Sequence, residues 1–393
     1  MNSLIKFFLS SRPKKNFFFF GAKQIIRGRH GARLSGLSFA LVLFLLLSAC
    51  QNQPVSFAPE ARDFIYPGKT WDRYSSPEAA GFSSQGIQQA LDYVKTLATT
   101  SLVVVHKGRI LFDYGETSEL SYLASVRKSV LSMLFGKYVA SGQIRLNKTL
   151  AELNLTDHGS LLPQELEATI EHLLSARSGV YHPASNSGDH LAYAPPRGSK
   201  KPGTYFLYSN WDFNALGTIF EQETGLNIYD ALEKDLALPL EMEDFKREMQ
   251  RKSGDLSKSI HPAYHMWLST LDMARLGYLM LREGNWKGQQ LIPRDWVKKS
   301  TRAITRVHEM NPEFLRKGPL GYGYLWWVFD GPGARGPYKG AYTAIGALGQ
   351  FITVIPELDL VIAHKVNNQK TKETVSRDQY LKLVDLIVKA RKR

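Results

Sequence analysis

A chain of 393 residues with 44% apolar side chains can bury a substantial core and form one large domain or two interleaved ones. Its single cysteine excludes an internal disulfide, so stability outside the cytoplasm rests on packing. The formal charge of +14 is unevenly placed: eight of the 50 basic residues and no acid fall in residues 1–50, leaving 42 basic against 36 acidic side chains. That remainder is an ordinary solvated surface without the basic, aromatic-interleaved stripe of a nucleic-acid binder.

The basic start is followed by an apolar run from Leu37 to Leu47, too short to span a bilayer comfortably and well placed as the core of a secretory signal peptide. It ends in Leu47-Ser48-Ala49-Cys50, which resembles a bacterial lipoprotein box. Residues 1–49 are accordingly expected to be a lipoprotein signal peptide, with Cys50 lipidated as the first mature residue. Gln51, in place of an aspartate, resembles the pattern sent to the outer membrane, which makes its periplasmic face the expected location. The bland alternative is a buried structural cysteine. The long basic segment also leaves open a start downstream of Met1. Residues 50–70, rich in Pro, Ser, Asn and Gln, read as a tether.

Ile87, Leu91, Val94 and Leu97 recur at helical spacing behind Ser83, which predicts an amphipathic helix over 83–97. Two runs rich in branched and aromatic residues, 102–106 and 109–112, flank Lys107-Gly108 and predict a β-hairpin. A strongly apolar helical segment opens with Ser125-Val126-Arg127-Lys128 and runs to about Val139, and a helical, loop-rich region then reaches about residue 250. Within it, Ser178-Gly179 is the expected turn into a polar Gly/Pro-rich loop over 182–203, whose length fits a cover for a site or a mobile segment. Helices are expected from Asn210 and over 272–280, the latter capped at Ser269 or Thr270, with a short element at Trp296. Strands are expected over 324–329, 351–355 and 360–364, and a final amphipathic helix over 380–389. Strands at both ends with helices between them predict an α/β fold of the α+β type, an antiparallel sheet flanked by helices. Residues 71–120 and 255–393 supply the sheet region, and 121–254 an inserted, mostly helical region.

Three residues apart on a helix, the Ser125 hydroxyl and the Lys128 amine share a face, so the amine can take the proton as the hydroxyl attacks a carbonyl. The first helical turn also offers unbonded N–H groups to developing negative charge. The alternatives are a capping serine and a solvent-facing lysine. Arg127 lies about 100° round the helix and is expected to point elsewhere, as a structural or surface residue. Two further stretches follow: Tyr208-Ser209-Asn210 before a helix, and Ala344-Ile345-Gly346-Ala347-Leu348-Gly349-Gln350 leading into a late strand.

With Ser-x-x-Lys and Tyr-x-Asn in this order, the chain resembles the serine beta-lactamase and penicillin-binding protein superfamily, in particular its class C and carboxylesterase-like branch, from about Trp71 to Asn368. The resemblance implies Ser125 as nucleophile, Lys128 as base, Tyr208 as its partner in proton transfer, and Asn210 as an amide holding Lys128 and a substrate carbonyl. It also implies an oxyanion hole made by the Ser125 N–H and one from the strand that stands for Lys-Thr-Gly, Ile345 if Thr343 takes the threonine position and Ala344 in the other register. There the chain departs from the pattern, because Tyr342 or Ala341 replaces the lysine and supplies no positive charge for a lactam carboxylate. Lys339, Lys365 and Arg177 are candidates to bring one from elsewhere. Tyr181 could reach a leaving group or simply pack, and Tyr324, Trp326 and Trp327 could line an apolar pocket or a core.

No cofactor or metal is expected. The ten histidines form no ligand-spaced cluster, His261 and His265 carry Pro262 where a zinc-binding helix needs glutamate, and 331–336 lacks the spacing of a phosphate loop. The leading expectation is a lipid-anchored serine hydrolase for a small ester or amide. Its rivals are a D,D-peptidase or beta-lactamase, and a non-catalytic envelope binding lipoprotein.

Overall fold

In the computed structural model, which describes residues 64–392, the predicted early hairpin turns through Lys107 at φ 48° and Gly108 at φ 81°. Two successive left-handed residues match the twist of antiparallel strands, and a Cβ on Gly108 would run into the Ile65 carbonyl. The predicted signal peptide, Cys50 and most of the tether lie outside the described residues. Among the described residues no helix is long and apolar enough to cross a membrane.

The hairpin strands, β1 (Ser101–His106) and β2 (Arg109–Gly115), join five later ones: β3 (Leu320–Tyr322), β4 (Trp327–Phe329), β5 (Tyr342–Gly346), β6 (Gln350–Ile355) and β7 (Leu360–Lys365). The sheet order is β2-β1-β7-β6-β5-β4-β3, and every neighbouring pair is antiparallel. The expected strand over 324–329 is shorter. Gly323 to Trp326 form a turn, with Leu325 at φ 61°, that folds β4 back on β3, so Tyr324 and Trp326 leave the ladder and are buried.

Helices α1 (Ser84–Lys95), α2 (Val126–Ala140), α3 (Asn210–Thr224), α4 (Thr270–Leu281) and α5 (Arg377–Lys389) are the long ones. Ser83, Ser269 and Ser376 cap α1, α4 and α5, each accepting a backbone N–H of the first turn. Side-chain alternation along β6 serves two helices on opposite faces. On one face Tyr380 of α5 stacks on Phe351 at 3.9 Å and donates its hydroxyl to Thr353 Oγ1 at 2.7 Å. On the other, Gly277 of α4 rests on Ile352 and Val361. Between β2 and β3 the chain builds the inserted helical region. Its first long helix, α2, is buried on almost every side and packs against α3 and β5. A helix buried all round takes its polar residues inside with it.

Candidate functional site

Strand-like pairing of Ser121 and Tyr122 with Leu268 and Trp267 brings the chain to the foot of α2. Leu123 donates its N–H to the Met266 carbonyl, and Ala124 then takes φ 46°, an uncommon conformation for a non-glycine residue. This turn delivers Ser125 to the start of α2, facing a cleft of about 390 Å³.

Lys128 is 1% exposed. Its Nζ lies 2.9 Å from Ser125 Oγ, 2.7 Å from the Tyr208 hydroxyl and 2.7 Å from Asn210 Oδ1. Three oxygen partners suit an ammonium donating three N–H groups and equally an amine that donates two and accepts a hydroxyl proton on its lone pair. Burial is the main cause that drives Lys128 well below the usual lysine range; the neighbouring Arg127 cation adds to it, and the Asp189 carboxylate opposes it. Burial likewise pushes the Tyr208 phenol up to about 12. Burial thus holds the tyrosine in its protonated form and shifts the lysine toward the free amine, the form able to receive a proton.

The polar loop over 182–203 holds these side chains from above. The Ser187 carbonyl accepts from Asn210 Nδ2 at 2.8 Å, and Asp189 Oδ2 accepts the Asn210 backbone N–H at 2.9 Å. The His190 N–H donates to the Tyr208 carbonyl at 2.9 Å. Trp327 stacks on the Tyr208 ring at 5.6 Å and forms a cleft wall with His190, Phe314 and Ile345.

β5 closes the far side. A Cβ on Gly346 would stand 2.6 Å from the Leu123 carbonyl and 3.1 Å from the Ser125 nitrogen, so only glycine lets the strand approach the start of α2 this closely. Thr343 is the last β5 residue paired with β4, opposite Trp327. Alternate residues share a strand edge, so Ile345 lies on the same edge as Thr343, beyond the last pairing with β4, where it lines the cleft. Ala344 instead is fully buried opposite Ile352.

Ser125, Lys128, Tyr208 and Asn210 thus meet, with Ile345 across the cleft. Other candidates lie apart. Lys365 is buried under the sheet, donating to the Ser121 and Leu268 carbonyls, and Arg177 donates to Gly203 O and Thr305 Oγ1. Lys339 is exposed in a turn, and the buried Tyr181 hydroxyl finds no hydrogen-bond partner among the described residues. Of the three late aromatics only Trp327 reaches the cleft. His261 bonds the Thr156 carbonyl and Thr218, and His265 bonds Tyr122. Among the described residues no group of His, Cys, Asp or Glu is arranged to hold a metal ion.

Arg127, Asp189 and Arg377 were not anticipated at the site. Arg127, expected to be structural or at the surface, is 1% exposed inside the inserted region. The signal for it was present, because apolar residues occupy most of the surface of α2 and leave an arginine in its first turn little outward direction. Asp189 and Arg377 arrive from distant segments, and no local pattern announces them. Arg377 lines the cleft from the start of α5 with Asp378, whose carboxylate it meets at 3.3 Å.

The antiparallel sheet, the inserted helices and a helix-borne Ser-x-x-Lys at a cleft define a beta-lactamase-like fold. The Beta-lactamase family model matches residues 87–386, and the chain belongs to that family. An uncharacterized protein from Alkalihalophilus pseudofirmus is 25% identical over 299 residues, 68% of this chain and 83% of the relative. Among solved structures, one assigned provisionally as a 6-aminohexanoate-dimer hydrolase from Bacillus anthracis superposes with a TM-score of 0.58 at 18% identity, covering 83% of this chain and 88% of that one. A family VIII carboxylesterase superposes with a TM-score of 0.55 at 13% identity, covering 79% and 99%. At these identities the two structures establish likeness of fold.

Proposed function

We propose that the protein is a serine hydrolase that cleaves a small ester or amide through an acyl-enzyme on Ser125. One observation carries this reading: a buried lysine amine within hydrogen-bond distance of the Ser125 hydroxyl, the Tyr208 phenol and the Asn210 amide. Ser125 Oγ bonds to the carbonyl carbon as its proton passes to Lys128, directly or through Tyr208. The N–H groups of Ser125 and Ile345 receive the oxyanion. The proton then goes to the departing alcohol or amine as its bond to the carbonyl carbon breaks. Water attacks the acyl-enzyme, the Ser125 ester bond breaks, and the acid leaves while Ser125 regains its proton.

Esters and amides are favoured over lactams because the positions that stand for the lysine, Tyr342 and Ala341, are uncharged and buried. The test is intact-mass analysis after exposure to a fluorophosphonate. A single adduct that disappears in Ser125→Ala is expected, and an adduct that persists in that variant would reject Ser125 as the nucleophile. A penicillin panel run in parallel distinguishes the peptidase or lactamase alternative by its covalent adduct.

The envelope location belongs to the same proposal and rests on the Leu-Ser-Ala-Cys sequence at Cys50. The full chain expressed in a two-membrane bacterium is expected in the outer-membrane fraction, and Cys50→Ser is expected to be lost from that fraction. Equal partitioning of the two would remove the lipid anchor from the proposal.

A further inference from the structure

Arg127 presents a problem that the reaction above does not use. Its guanidinium is enclosed, 1% exposed, and no ion pair joins it to a carboxylate among the described residues. Nη2 donates to Asn214 Oδ1 at 3.2 Å, Nη1 is without a hydrogen bond, and the charge lies 4.3 Å over the Tyr264 ring. The titratable groups around it are Tyr122, Tyr208, Tyr229 and Tyr264, all raised by burial, and His265, lowered to about 4. Each is neutral at pH 7. Burying a cation in such company is costly, and arginine cannot escape the cost by losing its proton. A purely structural wedge would be served by methionine or leucine.

We infer, on the serine hydrolase reading, that Arg127 is a positioning residue whose permanent, unpaired charge beside Lys128 disfavours a second cation there and keeps the amine free to accept the Ser125 proton. The groups facing Lys128 bear this out. From the loop come Asp189 and His190, from the segment before α3 Tyr208, and from α3 Asn210 and the Phe213 ring at 4.4 Å. Asp189 is the one carboxylate among them, and it is already engaged by the N–H groups of Asn210 and Leu191. Asp189 pulls Lys128 toward the ammonium, and Arg127, adjacent in sequence, adds a fixed opposing cation to the effect of burial. Arg127 is enclosed and does not line the cleft, so substrate does not reach it.

A different role is open to Arg127: bracing α2 against Asn214, whose Nδ2 in turn holds Asn186 of the loop at 2.8 Å. The two roles separate in a pH profile. The rate of Ser125 phosphonylation by a fluorophosphonate is followed by intact mass between about pH 5 and 10 for the full chain, Arg127→Met and Arg127→Gln. If the charge matters, both variants move the acid-side midpoint up by about one unit or more, so labelling on the acid limb falls about tenfold while the alkaline plateau is kept. If Arg127 only braces, the midpoint stays and the rate falls equally at every pH, which overturns the inference. Asn214→Asp leaves Arg127 in place and sets a carboxylate against it; it is expected to shift the midpoint the same way, and it decides the matter should neither Arg127 variant fold. Failure of the underlying reading looks different, because the unmodified protein would then not be labelled on Ser125 at all.

Discussion

Tyr208 and Lys128 are 2.7 Å apart, and burial acts on both by disfavouring the charged form. For the tyrosine that means a phenol held up to about 12; for the lysine it means a shift toward the free amine. In the proposed reaction Tyr208 can therefore pass a proton along but not start the reaction as a phenolate. Tyr208→Phe removes the relay while keeping the ring against Trp327 at 5.6 Å and Phe213 at 4.8 Å. Ester turnover and phosphonylation are expected to fall by about 10²–10⁴-fold with little change in melting temperature; a variant with full activity would take Tyr208 out of the proton path. The residues of the site were unequally legible in the sequence. Ser125 and Lys128 are one helical turn apart, and Tyr208 and Asn210 flank one helix start, so short-range spacing exposes both pairs. The charge balance at Lys128 was not legible, because it depends on Arg127 being buried and on Asp189 arriving across a loop, and burial and loop closure are long-range facts.

At the scale of elements, hydrophobic periodicity located α1, α4 and the β1–β2 hairpin to within a few residues, since each has one buried face and a local cap or turn. It failed over 324–329, where continuous apolar residues look like one strand but Gly323 and the left-handed Leu325 make a turn. Glycines that permit contact are similarly silent until the partner is known. Gly277 lies inside α4, where alanine would normally gain about 1 kcal/mol in helix propensity. Here a Cβ would stand 2.5 Å from Val361 Cγ1 and 2.8 Å from Ile352 Cγ2, both on rigid buried strands. Overpacking of this kind costs about 1–3 kcal/mol, so the clash outweighs the propensity. Gly277→Ala is expected to lower the melting temperature, and a rise would mean that α4 can lift from the sheet without loss.

At the scale of the whole molecule, the central sheet carries a pH liability independent of the cleft. His106 on β1 and His364 on β7 are 3% and 0% exposed, and burial is the first cause that lowers each to about 4. Both nitrogens of His364 are occupied in the neutral form: Nδ1 donates to the Gly349 carbonyl at 2.9 Å and Nε2 accepts from Thr99 Oγ1 at 2.8 Å. Between pH 6.5 and 4 the unfolded chain binds protons at these positions that the folded chain refuses. Stability therefore falls as pH drops through that window, at up to about 1.4 kcal/mol per pH unit for each histidine. The buried Lys365, lowered to about 7 chiefly by burial, acts with the same sign at higher pH, from its ordinary 10.5 downward. This part of the acid sensitivity belongs to the sheet, and an inactive serine variant is expected to share it. His364→Asn removes one such proton, so its stability at pH 7 is expected to be lower through lost packing while its decline from pH 6.5 to 4 becomes shallower by about one proton's slope. Urea midpoints measured across that range give the comparison. Parallel declines in the two proteins would show that His364 already takes up its proton in the folded state, and that the acid loss originates at His106 or elsewhere.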